Sequence, residues 1–236
     1  GQTMAKKKSK EDEQRKQPLQ AVLLAEDWHS SSWGWKPLTL DRPKVLSPLL
    51  NKTMIDYVME YLSRQGVQEL FVVCVTQAVE DYVSLNAKHM KIVIVRDATI
   101  MNAGDAMREL DKRNVIESDP FVLVYGDVLT NCDLKDAIRS HKKRHENDSS
   151  AILTMLLTNK LTAACSSSTT EELLIGMDPN QDNRILLFDN NIEKGSAVIP
   201  CSFFANHCTS LNVRNDLFDV GLDLCSPEIL ARFSDE

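Results

Sequence analysis

From Leu19 onward the chain alternates short unbroken apolar runs with amphipathic stretches: QAVLLA, then MIDYVMEYLSRQG, VQELFVVCV, VEDYVSLNAK and KIVIVR. Apolar runs of that length suit strands covered on both faces, and the stretches between them have the length and periodicity of helices. Parallel strands need such crossovers to lie side by side. The pattern therefore predicts an α/β fold, a Rossmann-like, mostly parallel sheet flanked by helices. The first long helix is the best marked: Thr53 suits an N-cap, Ile55, Val58, Met59 and Leu62 recur at three- and four-residue steps, and Gly66 closes it. A helix over Ala103–Lys112, a buried strand over Phe121–Tyr125, a helix from Asp133 to about His145 and a strand over Ala151–Leu157 follow.

The remaining segments have a different grain. Asn159 to Thr170, NKLTAACSSSTT, has no apolar period and is expected to be a mobile loop. Beyond it Glu171–Met177, Arg184–Phe188, Ala197–Ser202 and Phe218–Leu224 read as shorter strands between the turns DPNQDN and DNNIEKG, an antiparallel C-terminal extension. A short helix over Pro227–Phe233 ends the chain and reads as the edge of a longer one.

Of the 236 residues, 43% are hydrophobic and 26% charged, enough for one substantial core, so 18–236 is read as one domain behind a polar tail, residues 1–17. The tail has no apolar segment of the kind a secretion signal requires. The longest apolar runs, such as Leu70–Val75, fall well short of the roughly 20 residues that span a bilayer, so no membrane is expected. Lys6, Lys7, Lys8 and Lys10 are followed at once by Glu11, Asp12 and Glu13 in a chain of net charge −7, a balance that argues against direct nucleic-acid binding. Six cysteines without a CxxC pair fit a reducing cytosol.

Ala21–Cys74 carries further landmarks: Pro37-Leu38-Thr39, the pair Pro43-Lys44, and Asn51-Lys52-Thr53-Met54-Ile55-Asp56-Tyr57 opening the first long helix. In order and spacing they resemble the opening of the sugar-nucleotide pyrophosphorylases, the NDP-sugar nucleotidyltransferases, which implies a nucleotide-diphospho-sugar transferase-like fold. The chemistry is another matter. Transfer of a nucleotidyl group needs backbone N–H groups brought close to a triphosphate, hence glycines, and an arginine to offset charge on the leaving pyrophosphate. Glu26-Asp27-Trp28-His29-Ser30-Ser31-Ser32-Trp33 stands where that loop belongs and contains no glycine, arginine or lysine.

A second landmark is the strand end Val124-Tyr125-Gly126-Asp127. The resemblance implies a magnesium-holding aspartate there; read from the residues alone, Gly126 permits a turn and Asp127 caps the next segment. Lys44 either meets phosphate, as the resemblance implies, or is a solvated lysine in a proline-rich turn. Lys44, Gly126 and Asp127 are thus a vestigial nucleotide site, and no catalytic residue, metal ligand or cofactor is assigned. His141 and His145, four apart on a helix, have a zinc-like spacing, but the Lys142-Lys143-Arg144 between them reads as an exposed helix end. Trp28, Trp33 and Trp35 either pack over the emptied cleft or form a contact patch.

Within the superfamily, the altered loop after AVLLA, PKVLSPL, GVQELFVVC, YGDVLTN and DLFDVGLDLCSP resemble the epsilon-subunit family of the guanine nucleotide exchange factor for eukaryotic initiation factor two. That resemblance implies a cytoplasmic, multi-subunit assembly, with the gamma subunit as chief partner and initiation factor two as substrate of the whole. It also places exchange chemistry in a C-terminal helical domain preceded by a β-helix, neither present in this chain.

Overall fold

The structure is a computed structural model and describes residues 18–26, 28, 37–86, 90–159, 173–190, 199, 204 and 210–234. The expected tail, the Ser/Thr-rich loop from 160 on and, but for Ile199, the strand expected at Ala197–Ser202 lie outside those residues.

The chain divides into two compact units, residues 1–156 with 221–236, and residues 157–220. In the first, β1 (Gln20–Leu24), β4 (Glu69–Cys74), β5 (Lys91–Arg96) and β6 (Phe121–Tyr125) run parallel in the order β5-β4-β1-β6. Between them come a single turn α1 (Leu38–Asp41), a small hairpin of β2 (Pro48–Leu49) and β3 (Lys52–Thr53), then α2 (Met54–Arg64), α3 (Gln77–Asn86) and α4 (Ala103–Arg113). After β6 come α5 (Leu134–Asn147) and β7 (Leu153–Asn159), and the chain ends on β11 (Leu217–Cys225) and α6 (Glu228–Ser234). The parallel crossovers predicted from the alternating runs are present, and all five side chains of β1 are buried, as the unbroken apolar reading requires.

Helix ends follow the expected chemistry. The Thr53 N–H donates to Asp56 Oδ2 at 3.2 Å, Asn102 Oδ1 accepts from the Asp105 N–H, and the Asp133 carboxylate accepts from the Lys135 N–H. Gly66, at φ +88°, supplies the left-handed residue after α2. The strand expected from Ala151 begins two residues later because Asp148 folds the chain into a turn, its carboxylate accepting from the N–H and the hydroxyl of Ser150.

The second unit contains an antiparallel sheet in the order β10-β8-β9, made of β8 (Leu174–Asp178), β9 (Arg184–Asp189) and β10 (Asn212–Arg214). The DPNQDN turn joins β8 to β9, with Asp182 and Asn183 at positive φ, which their short polar side chains tolerate. One expectation needs correcting. The segment read as a short hairpin strand at Phe218–Leu224 is a nine-residue strand whose Leu222–Cys225 pairs antiparallel with Val124–Phe121 of β6, extending the main sheet. Leu222, Leu224 and Cys225 are fully buried, so burial in that sheet, not a local turn, sets its partner.

Two buried polar groups pin the first unit. Gln20 Oε1 accepts from the N–H groups of Glu117 and Ser118 at 2.6 and 2.9 Å, while its Nε2 donates to Glu69 Oε2 and the Val115 carbonyl. His141 is fully buried, with Nδ1 2.9 Å from Thr154 Oγ1 and Nε2 3.0 Å from Ser226 Oγ, whose hydroxyl donates to Asp119. The exposed helix end expected around His141 is therefore wrong at this residue: Lys143 is exposed, while His141 takes the inward position and Arg144 donates to the same Thr154 hydroxyl at 3.1 Å. His145 stacks on it, ring centroids 6.2 Å apart.

Burial holds the His141 imidazole below its ordinary pKa; Asp119 pulls the other way, and His145, Arg144 and Lys142 add to the lowering. The unfolded chain, with an ordinary histidine near 6.5, then takes up a proton at higher pH than the folded one. Its contribution to stability is complete above about pH 6.5 and is lost as the pH falls through the folded value. We expect His141→Gln to cost about 1–3 kcal/mol at neutral pH, with the gap to wild type narrowing toward pH 5, read from urea melts across that range. Gln20→Leu, which leaves the Glu117 N–H and the buried Ser118 N–H without their acceptor, is expected to cost about 1–3 kcal/mol in the same measurement at pH 7.

Candidate functional site

At the carboxyl end of β1 the chain passes Glu26, whose Oε1 accepts from the backbone N–H groups of Val75 and Thr76, both at 2.8 Å, at the end of β4. The carboxylate that would repel a triphosphate thus binds two backbone donors of the protein itself. Its neighbour Cys74 is buried, and burial pushes that thiol up to about 12, with the Glu26 and Glu80 carboxylates adding and Arg96 opposing. Such a thiol is a small hydrophobe and not a nucleophile. Trp28 packs against the buried cluster that contains Val22, Leu24, Phe71 and Ile100, which favours the packing alternative for this tryptophan. Asp27, Trp33 and Trp35 lie outside the described residues.

The three residues singled out from the sequence converge. Pro43 leads into a 3₁₀ turn over Lys44–Leu46, and Lys44 Nζ donates to Asp127 Oδ2 at 2.6 Å. Lys44 is only 7% exposed and Asp127 33%, so the solvated-lysine alternative is overturned: the cation is drawn in against the end of β6. Asp127, read from the residues as a cap, directs its carboxylate to Lys44. Gly126 lies between them in sequence and in function. Its N–H donates to the Leu24 carbonyl at 2.9 Å, and a Cβ on it would sit 2.2 Å from Val45 Cγ1 and 3.1 Å from the Leu24 carbonyl oxygen. Glycine is needed there for close approach of the 44–46 turn and not for an unusual torsion.

A magnesium ion prefers several oxygen ligands at octahedral geometry. One carboxylate oxygen of Asp127 already accepts from the Lys44 ammonium, and among the described residues no group of three His, Cys, Asp or Glu could hold a metal ion. What the arrangement does is fasten the 44–46 turn to the sheet, with charge-assisted hydrogen bonding at Lys44 and van der Waals contact at Val45 and Gly126. Sequence reasoning named Lys44, Gly126 and Asp127 but missed Val45 and the backbone bonds of Glu26. The only signal for Glu26 was its position directly after a buried strand, one residue beyond Ala25.

The steric fit is directly testable. Gly126→Ala forces Val45 or the strand end to move and is expected to cost about 1–3 kcal/mol in urea denaturation. Adding Val45→Ala relieves the clash, so the double variant should lose less than the two single losses summed. Strict additivity would refute the close approach.

The Nucleotidyl transferase family matches residues 35–162, just over half of the chain. Among curated proteins, translation initiation factor eIF2B subunit epsilon from Dictyostelium discoideum is 33% identical over 224 residues, 92% of this chain and 31% of that protein. Its counterpart from Schizosaccharomyces pombe is 33% identical over 230 residues, 94% of this chain and 33% of that protein. The chain thus spans about a third of the length of these relatives. Among solved structures, HddC from Yersinia pseudotuberculosis aligns with a TM-score of 0.58 at 18% identity, covering 91% of this chain and 79% of that one, a likeness of fold. With its parallel sheet, its Pro43-Lys44 turn and its Gly126-Asp127 strand end now located, the chain belongs to the nucleotidyl transferase family.

Proposed function

We propose that this chain is a catalytically degenerate nucleotidyltransferase-like domain that serves as an assembly and substrate-docking module of the guanine nucleotide exchange factor for eukaryotic initiation factor two. The carrying observation is that polar groups at the carboxyl ends of the parallel strands bind one another. Lys44 binds Asp127, and Glu26 binds the Val75 and Thr76 amides. A triphosphate entering that place has to displace an ion pair whose lysine is nearly buried, and it meets a loop sequence without glycine, arginine or lysine from Glu26 to Trp33.

The likeness to epsilon subunits across more than nine-tenths of the chain supports the translational setting. In this reading residues 18–236 are the nucleotidyltransferase-like part of a longer cytoplasmic subunit. Its chief partner is the gamma subunit, initiation factor two is the substrate of the whole assembly, and exchange chemistry lies in a part of the subunit outside this chain. No helix of the described residues is long and apolar enough to cross a membrane.

A second reading, a nucleotide sensor without catalysis, draws on the persistence of Lys44 and Asp127 side by side at the expected strand end. Calorimetric titration with GTP, ATP and a nucleotide sugar, each with and without magnesium, separates the two. An intact pyrophosphorylase serves as positive control. We expect no heat beyond dilution. Magnesium-dependent binding lost in Asp127→Ala would instead mark an active nucleotidyltransferase-type site, and binding that survives Asp127→Ala but weakens in Lys44→Ala would mark the sensor.

A further inference from the structure

The turn that carries Lys44 leads directly into the β2–β3 hairpin, and the tip of that hairpin is built against its own local interest. Pro48, Leu49 and Leu50 are three consecutive exposed apolar residues, Leu49 at 41% and Leu50 at 88%. Such a run on a surface is unfavourable unless something covers it. Leu50 also adopts φ +56°, the left-handed region where a bulky side chain is rare and where glycine or asparagine is at ease. Asparagine is the very next residue, Asn51, so the chain carries a residue suited to the torsion one position away from where the torsion occurs.

The tip is also held rigid. Pro48 pairs with Thr53 and Leu49 with Lys52; the Met54 N–H donates to the Ser47 carbonyl at 3.1 Å; and the Tyr57 hydroxyl donates to the Leu49 carbonyl at 3.0 Å. Lys52, whose ammonium lies 5.8 Å from the Tyr57 ring centroid, donates to Glu60 at 2.7 Å. A strained, preorganised, exposed aliphatic tip has the properties of a binding anchor: its ordering cost is met before the partner arrives.

We infer that Pro48-Leu49-Leu50 is a docking knob that seats in an apolar pocket of a folded partner subunit of the exchange factor. The inference rests on the assembly reading above. A projection of three residues calls for a concave partner, which a protein pocket supplies and a lipid surface does not. A chain of net charge −7 is moreover repelled by an anionic membrane. The curated relatives are themselves subunits by name, a setting in which partner subunits are at hand.

The test is Leu50→Asn in the full-length subunit, titrated by interferometry against the purified subassembly of the remaining exchange-factor subunits. Asparagine suits the left-handed torsion, so the melting temperature should hold or rise while the dissociation constant increases on the order of tenfold or more. Leu50→Gly, equally at ease in that torsion, should weaken binding likewise. Affinities of both variants within about twofold of wild type would overturn the knob while leaving the assembly reading intact. A wild-type subunit that does not bind the subassembly at all would overturn both. Self-association of the wild-type subunit in sedimentation, lost in Leu50→Asn without change in affinity for the subassembly, would assign the knob to a second copy and overturn the present proposal.

Discussion

Everything in the first unit is referred to β1. It is hydrogen-bonded on both edges, to β4 along Gln20–Leu24 and to β6 along Ala21–Leu24, and its five side chains are buried. A strand so enclosed has no tolerance for a slip of register, because a shift of one residue would exchange its two faces and strand Gln20 among aliphatic neighbours. Gln20 fixes that register chemically. Its amide oxygen satisfies two backbone donors at Glu117 and Ser118 and its nitrogen reaches Glu69, so one side chain ties β1 to β4 and to the segment entering β6. In a low-dielectric interior, polar groups satisfied in this way specify one arrangement, since every alternative leaves them unpaired.

The carboxyl ends of these strands are where parallel α/β sheets place ligands, and here the same position is occupied by internal contacts. Lys44 and Asp127 come from segments 83 residues apart, and their separation of 2.6 Å exists because Gly126 lets Val45 lie against the strand end. Burying a lysine carries a desolvation cost that a carboxylate at hydrogen-bonding distance offsets. Asp127 remains a third exposed, so solvent screens the pair and its net contribution to stability is modest; its effect is geometric, holding the turn where the hairpin and α2 begin. Glu26 plays the corresponding part at the end of β4, where its carboxylate accepts from two backbone amides.

Much of this was legible in the sequence, because the period of the apolar residues is a property of the chain alone. The parallel strands, α2 with Thr53 and Gly66 at its ends, and the helix from Asp133 on all follow from local pattern. Lys44, Gly126 and Asp127 were identifiable as a group only through family resemblance, since nothing local brings Pro43-Lys44 near Gly126-Asp127. What the sequence hid was long-range. The antiparallel pairing of Leu222–Cys225 with β6 reads locally as one more short strand, and it is decided by burial against β6, which ends at Tyr125, far back in the sequence. His141 was misjudged because Lys142, Lys143 and Arg144 dominate any local reading, although a helix that exposes Lys143 turns another face inward.

The fastening of the 44–46 turn and the construction of the hairpin are consequences of one local choice. Once the 44–46 turn is fixed to β6, the chain has to reverse immediately to start α2 at Met54, and the reversal is made in the few residues from Pro48 to Thr53. A reversal that tight needs a left-handed residue at its tip, which any turn-forming sequence would supply with glycine or asparagine. That the position carries leucine, exposed and in the strained region, separates the requirement of the fold, which is a tight reversal, from the identity of the side chain displayed there. The fold explains the torsion at residue 50; it does not explain the leucine, whose side chain folding disfavours there.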